Sequence, residues 1–261
     1  MAAMTEMEMV ETIRRELKQV EEQKGVRILH AVESGSRSWG FASPDSDYDV
    51  RFIYVRPIRD YLCVNEIRDF IEWKLDEVLD INGWDIRKFM RLCAVGNATP
   101  FEWMNSPIVY YTTPEWNEVT SVCGKYFSEK SAVNHYCGIA TNTWFKYLTG
   151  ETVKYKKYFY ALRPLFCAKY IEQYHVAPPM LFSELMKMDL EADLRAAIED
   201  LLERKKVTEE SVESPHIQLV QQYIRDELDR QKKLIPTISE DRNRDMEDLN
   251  RCFAGLVGLR P

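Results

Sequence analysis

Three short patterns bring together residue types that handle phosphate and divalent cations. Gly35-Ser36 comes first, Asp47-Tyr48-Asp49 follows after a spacer of ten residues, and Asp80 lies between Leu79 and Ile81. Glycine lets the backbone approach a ligand closely. Serine adds a hydroxyl and a backbone N–H that suit a triphosphate. Asp47 and Asp49 are two apart in a β-rich run, so their side chains fall on one strand face. Two carboxylates there repel each other unless a cation sits between them. Mg2+ takes a small number of carboxylates together with substrate phosphates and water. Asp80, an acid projecting from an aliphatic strand, would complete a two-metal site, one ion activating the attacking oxygen and the other steadying the leaving group. Asp85 is the rival third acid, although its place at a helix start also suits an N-cap.

A second cluster holds Lys154, Lys156, Lys157, Tyr160 and Arg163. On a helix, Lys156, Tyr160 and Arg163 share one face at spacings of four and three. Such a face would grip a triphosphate and stack a base; a solvated cationic face is the ordinary alternative. Arg163 precedes Pro164, where the backbone is restricted. Arg37 is placed to reach a phosphate or to bridge an acid. Arg51 shares the strand face of both acids, where it would orient them or touch phosphate. Trp39, Trp84 and Trp103 read as core or cleft wall. The four histidines form no pair and receive no role.

The elements that must position these groups are legible from periodicity. Val10, Ile13, Leu17 and Val20 recur at helical spacing over residues 5–23, and Gly25 ends the helix. Residues 26–33 and 48–55 read as strands, joined through Ser34–Gly40 and the turn chemistry of Pro44-Asp45-Ser46-Asp47. A helical or loop segment is expected over 58–68, strands over 69–74 and 77–81, a helix over 86–95 capped by Asp85, and a short helix at 100–104. From 115 onward the pattern is helical, near 115–127, 130–149, 153–174, 180–187, 190–204, 215–233 and 240–257, with no strand. The chain therefore reads as α+β, a mixed sheet with flanking helices followed by an all-helical domain. The division is placed at 1–114 and 115–261.

Composition sets outer bounds. The chain has 261 residues, 45% hydrophobic and 30% charged, with a formal net charge of −7. That excludes a disordered chain, and the acidic balance requires any polyanion to bind through a local basic patch. Six cysteines without CxxC spacing read as free thiols in a reducing cytoplasm. No apolar run is long enough for a transmembrane helix, and no secretory signal is expected.

The Gly-Ser, spacer, Asp-x-Asp pattern resembles the signature of the DNA polymerase β-like nucleotidyltransferase superfamily. The longer strings GSRSWGFASPDSDYDVRFIYV and LDINGWDIRKFMRL, with NSPIVY at 105–110 and KKYFYALRPL at 156–165, are similar to a narrower group, the RNA-repair-pathway-associated polymerase β family of bacteria and phages. The resemblance implies a nucleotidyltransferase domain whose cleft a helical domain closes. It implies that Gly35, Ser36 and Arg37 bind the phosphates of an incoming nucleotide, with Lys156, Tyr160 and Arg163 across the cleft. It implies two Mg2+ ions, or Mn2+ in their place, on Asp47, Asp49 and Asp80. Asp80 would also help deprotonate an acceptor hydroxyl. The expected reaction moves a nucleoside monophosphate from a nucleoside triphosphate, ATP favoured, to a hydroxyl, and releases pyrophosphate. An RNA end is the favoured acceptor. A protein hydroxyl, as in AMPylation, is the first alternative; a non-catalytic nucleotide sensor or scaffold is the second. A cytoplasmic chain without membrane contact, open to homo-oligomerisation, is expected.

Overall fold

The computed structural model describes residues 5–43, 46–76, 78–207 and 212–259, the side chains of 206 and 207 excepted. Pro44 and Asp45 of the expected turn, and Glu77 at the start of an expected strand, lie outside the described residues. Helix α1 (Glu6–Lys24) begins at a capping box, in which Thr5 and Glu8 each accept from the other's backbone N–H, and stops at Gly25 in the left-handed conformation. Its buried residues, Met9, Ile13, Leu17 and Val20, cover one face of a sheet.

That sheet contains β1 (Arg27–Ser34), β2 (Tyr48–Val55), β3 (Phe70–Leu75), β4 (Leu79–Asp85) and β5 (Val109–Thr112), in the order β3-β4-β2-β1-β5. Only β2 and β4 pair in parallel; the other neighbours are antiparallel. α2 (Ile58–Tyr61) follows β2, and α3 (Ile86–Ala94) continues directly from β4. α4 is Ala98–Met104 and α5 is Trp116–Gly124.

The helical half holds α6 (Glu129–Thr143), a π-helical turn (Trp144–Leu148), α7 (Tyr155–Tyr174), α8 (Phe182–Leu185), α9 (Ala192–Val207), α10 (Gln218–Leu234) and α11 (Glu247–Leu256). Among the described residues, a two-residue ladder, β6 (Val153–Lys154) with β7 (Glu213–Ser214), is the one pairing that the expected all-helical half lacked. The core of α6 to α10 centres on Phe159, Leu162, Phe166 and Phe182.

The expected boundary at 114 runs through a packed layer. The sheet face opposite α1 is covered by α3 and α4, by α5 through Trp116, Val119 and Cys123, and by α11 through Leu249 and Cys252. The chain end thus returns to the sheet, held by Lys125–Asp248 at 2.7 Å and by Ser128 Oγ donating to Asp241 at 2.6 Å. All six cysteines are free thiols, five of them buried. Among the described residues no helix is long and apolar enough to cross a membrane.

Candidate active site

Strand register sets the centre of the site. Ser34 lies beside Asp49, and Asp49 beside Asp80, at the ends of three adjacent strands. The parallel pairing of β2 with β4 therefore brings together two carboxylates that are 31 positions apart in sequence. Arg51 clamps them, its Nη2 donating to Asp49 Oδ1 at 2.9 Å and to Asp80 Oδ2 at 2.7 Å. Its Nη1 donates to the carbonyls of Val50 and Asp80. Asn82 Nδ2 holds the other Asp80 oxygen at 3.1 Å. Burial raises the Asp49 carboxyl to about 6; Arg51 pulls it down, and the negative charges of Asp47 and Asp80 push it up.

Gly35 faces this pair. Its φ is +75°, and a Cβ built on it would lie 2.2 Å from Asp49 Oδ2. The carboxylate thus occupies the space that any other residue's side chain would need, which is the physical reason for a glycine here. Ser36 is buried in the turn that follows, where Ser38 Oγ donates to the Gly35 carbonyl at 2.8 Å. From there the chain enters the helical half. Trp39 packs edge-on against Tyr160, Phe41 packs on Phe159 and Phe182, and Lys205 Nζ donates to the Phe41 carbonyl at 2.7 Å.

Several expected residues stand elsewhere. Asp47 immediately precedes β2 and is exposed, whereas Asp49 is half-buried within the strand. Its charge is nonetheless near enough to act on Asp49. Arg37 stacks on Tyr48 at 3.7 Å and donates to the carbonyls of Ser46 and Asp47. It ties the two motif loops together through backbone carbonyls. Asp85 caps α3 by accepting from Arg87 N at 2.8 Å, and it also accepts from Tyr61 Oη. It lies five residues from Asp80 and faces the other side of the sheet, where burial raises its carboxyl.

Arg163 is a correction. The helical spacing predicts that it projects into the cleft with Lys156 and Tyr160. The side chain is only 5% exposed and is paired with Glu102 Oε1 at 2.8 Å, while Met180 Sδ and the Trp39 ring take its remaining faces. A guanidinium sealed in this way does not reach a nucleotide phosphate. Lys156 and Tyr160 are half-buried near the start of α7.

Glu33 escaped the reading of the sequence. It is fully buried on β1, accepts from Asp49 N at 2.8 Å and from Tyr110 Oη at 2.6 Å, and so pins the backbone of Asp49. An acid inside the otherwise apolar run ILHAVE was the available signal. Burial raises Glu33 from 4.5 to about 7, against the pull of its two hydrogen bonds. The folded state then binds more protons than the unfolded chain between those values. The contribution is fully present below pH 4.5 and is lost as the pH rises through 7. Glu33→Gln should keep the bond from Asp49 N on its amide oxygen, while its amide NH2 donates to Tyr110 Oη in place of accepting from it, all without the charge. Its stability should exceed that of the wild type above pH 7 by on the order of 3 kcal/mol, seen as a higher Tm, and the two should converge toward pH 5. Parallel melting curves at all pH values would refute this account.

Hard oxygen donors on two strands, one carboxylate partly desolvated, and a single Arg51 charge against three acids form a set that fits a divalent cation. Among the described residues no three His, Cys, Asp or Glu side chains converge into a cage of their own. Mg2+ held jointly by protein and substrate phosphates needs no such cage.

Carboxylates on neighbouring strands of a mixed sheet, facing a Gly-Ser turn, define the polymerase β-like class. Residues 9–255 match the RNA repair pathway DNA polymerase beta family, and the chain belongs to it. That membership carries a general role in nucleotidyl transfer. A relative in Bacillus subtilis (strain 168), described as uncharacterized protein YcgL, is 41% identical over 246 residues, 93% of this chain and 94% of that protein. A solved nucleotidyltransferase-like protein from Exiguobacterium sibiricum 255-15 is 12% identical with a TM-score of 0.31, covering 86% of this chain and 75% of its own. That likeness is too slight to bear on the chemistry.

Proposed function

We propose that this chain is a divalent-metal-dependent nucleotidyltransferase, moving a nucleoside monophosphate from a nucleoside triphosphate (ATP favoured) to a hydroxyl at an RNA end. The reading rests on one arrangement: Asp49 and Asp80 side by side, with Asp49 Oδ2 filling the Cβ space of Gly35. The acceptor oxygen forms a bond to the α-phosphorus. The bond from that phosphorus to the oxygen bridging to the β-phosphate breaks, and pyrophosphate leaves with that oxygen. The acceptor proton passes to Asp80. Asp49 and Asp80, with Asp47 beside them, would hold Mg2+ or Mn2+, which neutralises phosphate charge and orients the reacting oxygens. Backbone N–H groups at Gly35 and Ser36 would receive the phosphates, and the Arg51 guanidinium, which clamps both carboxylates, would keep a positive charge beside them. Lys156 and Tyr160 serve the nucleotide from the helical side. Closure of the cleft by that half is favoured by the anchoring of Trp39 and Phe41 in it.

Asp80→Asn should cost turnover while nucleotide still binds; Asp85→Asn should leave turnover intact and cost stability alone, about 1–3 kcal/mol, since the cap from Arg87 N survives while Tyr61 Oη and Arg56 lose a charged partner. The reverse pattern in kinetics and melting would transfer the role to Asp85. Labelled nucleoside triphosphates with Mg2+ or Mn2+, offered RNA and protein acceptors in turn, test the reaction itself. Label on RNA supports the reading, label on protein replaces it with AMPylation, and binding without transfer to either replaces it with a sensor.

A further inference from the structure

Helix α7 starts against the usual electrostatic rule. The N-terminal end of a helix carries partial positive charge and unsatisfied N–H groups, so acids gather there and lysines are unfavourable. α7 has no acid in its first turn; its N-cap is Lys154, whose side chain makes no capping bond, and Lys156 and Lys157 follow within that turn. Beside it stands the π-helical turn, which exposes Lys146 and Tyr147. Lys157 Nζ lies over the Tyr147 ring at 3.9 Å and over the Tyr160 ring at 5.0 Å; Lys146 Nζ is 5.0 Å from Tyr147. Burial lowers the pKa of Lys157, with the neighbouring lysines 146, 154 and 156 adding to the effect.

Among the described residues, Lys146, Lys154 and Lys157 make no ion pair with a carboxylate. The acid nearest in sequence is Glu151, which is exposed; Glu213 lies opposite Lys154 in the two-residue ladder and accepts from Thr152 Oγ1. The surplus is therefore positive, on a chain whose formal net charge is −7. From Tyr147 the strip continues through Lys157 and Tyr160 to Trp39, whose backbone N–H donates to the Gly35 carbonyl at 3.1 Å. It ends at the turn that faces Asp49.

We propose that this strip, Lys146, Tyr147, Lys154 and Lys157 at the uncapped start of α7, binds the single-stranded nucleic-acid acceptor and leads its end toward the Gly35 turn. The proposal rests on the reading of the acceptor as a nucleic-acid hydroxyl. Lysines and the positive end of the helix dipole at the start of α7 take phosphate oxygens. The exposed Tyr147 ring takes the face of a base, an interaction open to every sequence. Cations interleaved with aromatic rings suit a flexible strand whose bases are unstacked, and suit a duplex poorly, since its base faces are buried.

The test is fluorescence anisotropy on the full chain with a labelled single-stranded RNA of about a dozen nucleotides. It is done without nucleotide and with a chelator, so that no transfer occurs. Affinity should fall steeply with salt. Lys146→Ala with Lys157→Ala should flatten that dependence by roughly 1.4 in log–log slope, at about 0.7 for each phosphate no longer neutralised. Tyr147→Ala should weaken the RNA roughly five- to a hundredfold, yet leave inorganic polyphosphate, which has no bases, as effective a competitor as before. Phe145→Ala, an exposed ring beside Lys232 rather than Lys157, should change nothing. Unchanged RNA affinity in the Tyr147 and lysine variants, equal loss in Phe145→Ala, or tighter binding of blunt duplex would overturn the proposal. Lost binding in these variants while Asp49→Asn still transfers would sink the active-site reading and keep the strip. Normal binding in them while Asp49→Asn is inactive would do the opposite.

Discussion

Asp49→Asn is expected to lower nucleotidyl transfer by about a thousandfold while the protein melts at or slightly above the wild-type temperature. The activity loss follows from the position of the carboxylate. Among the described residues it is the one acid that touches the Gly35 turn, the Arg51 clamp and, through its backbone N–H, Glu33. Removing its charge removes a ligand for the ion that would stabilise the transferring phosphate. Such stabilisation is worth several kcal/mol, and each 1.36 kcal/mol is a factor of ten in rate. Stability should not suffer, because Arg51 keeps its bond to Asp80 at 2.7 Å and asparagine fills the same space beside Gly35. Above pH 6 the wild type also carries the cost of a desolvated Asp49 carboxylate beside two other acids, which asparagine relieves. Melting curves and initial rates on the same preparations check both halves. Wild-type turnover in Asp49→Asn would remove the carboxylate pair from the mechanism.

Glu102→Ala should be the most destabilising single change near the site, by about 3–5 kcal/mol, the usual penalty for removing one partner of a buried ion pair. Arg163 is fully enclosed, and Glu102 Oε1 is the only carboxylate that answers it among the described residues. The same oxygen accepts from Tyr136 Oη at 3.0 Å, so two buried donors lose their acceptor together. At about 2–4 °C per kcal/mol for a chain of this size, Tm should fall by about 10 °C. Replacing both partners, Glu102→Leu with Arg163→Met, should recover much of that loss, because apolar groups of similar volume leave no charge to desolvate. The double variant should retain nucleotide affinity. Loss of affinity with unchanged Tm in Arg163→Met would return this residue to the cleft.

The sequence determined most of the local structure. The strand at 48–55, the capped helix from Asp85, the Gly25 stop and the long helix through KKYFYALRPL all follow from side-chain period and capping chemistry, which act over a few residues. It also marked Gly35, Asp49 and Asp80, because an acid between aliphatics and a glycine after a strand are costly unless used. Short range was the limit of this reading. β5, four residues after a proline break, exists because β1 offers it an edge, and β4 runs on through Asn82-Gly83 because the Phe52 ring fills the space that a side chain at 83 would need. Arg163 shows the same limit, because a helical face cannot say what it meets. Arg163 turned inward because Glu102, 61 positions earlier in the chain, was folded against it. Pairing Asp49 with Asp80 rather than Asp85 was likewise decided by strand register. The two acids lie on opposite faces of β4, and only the parallel ladder to β2 fixes which face looks toward Gly35.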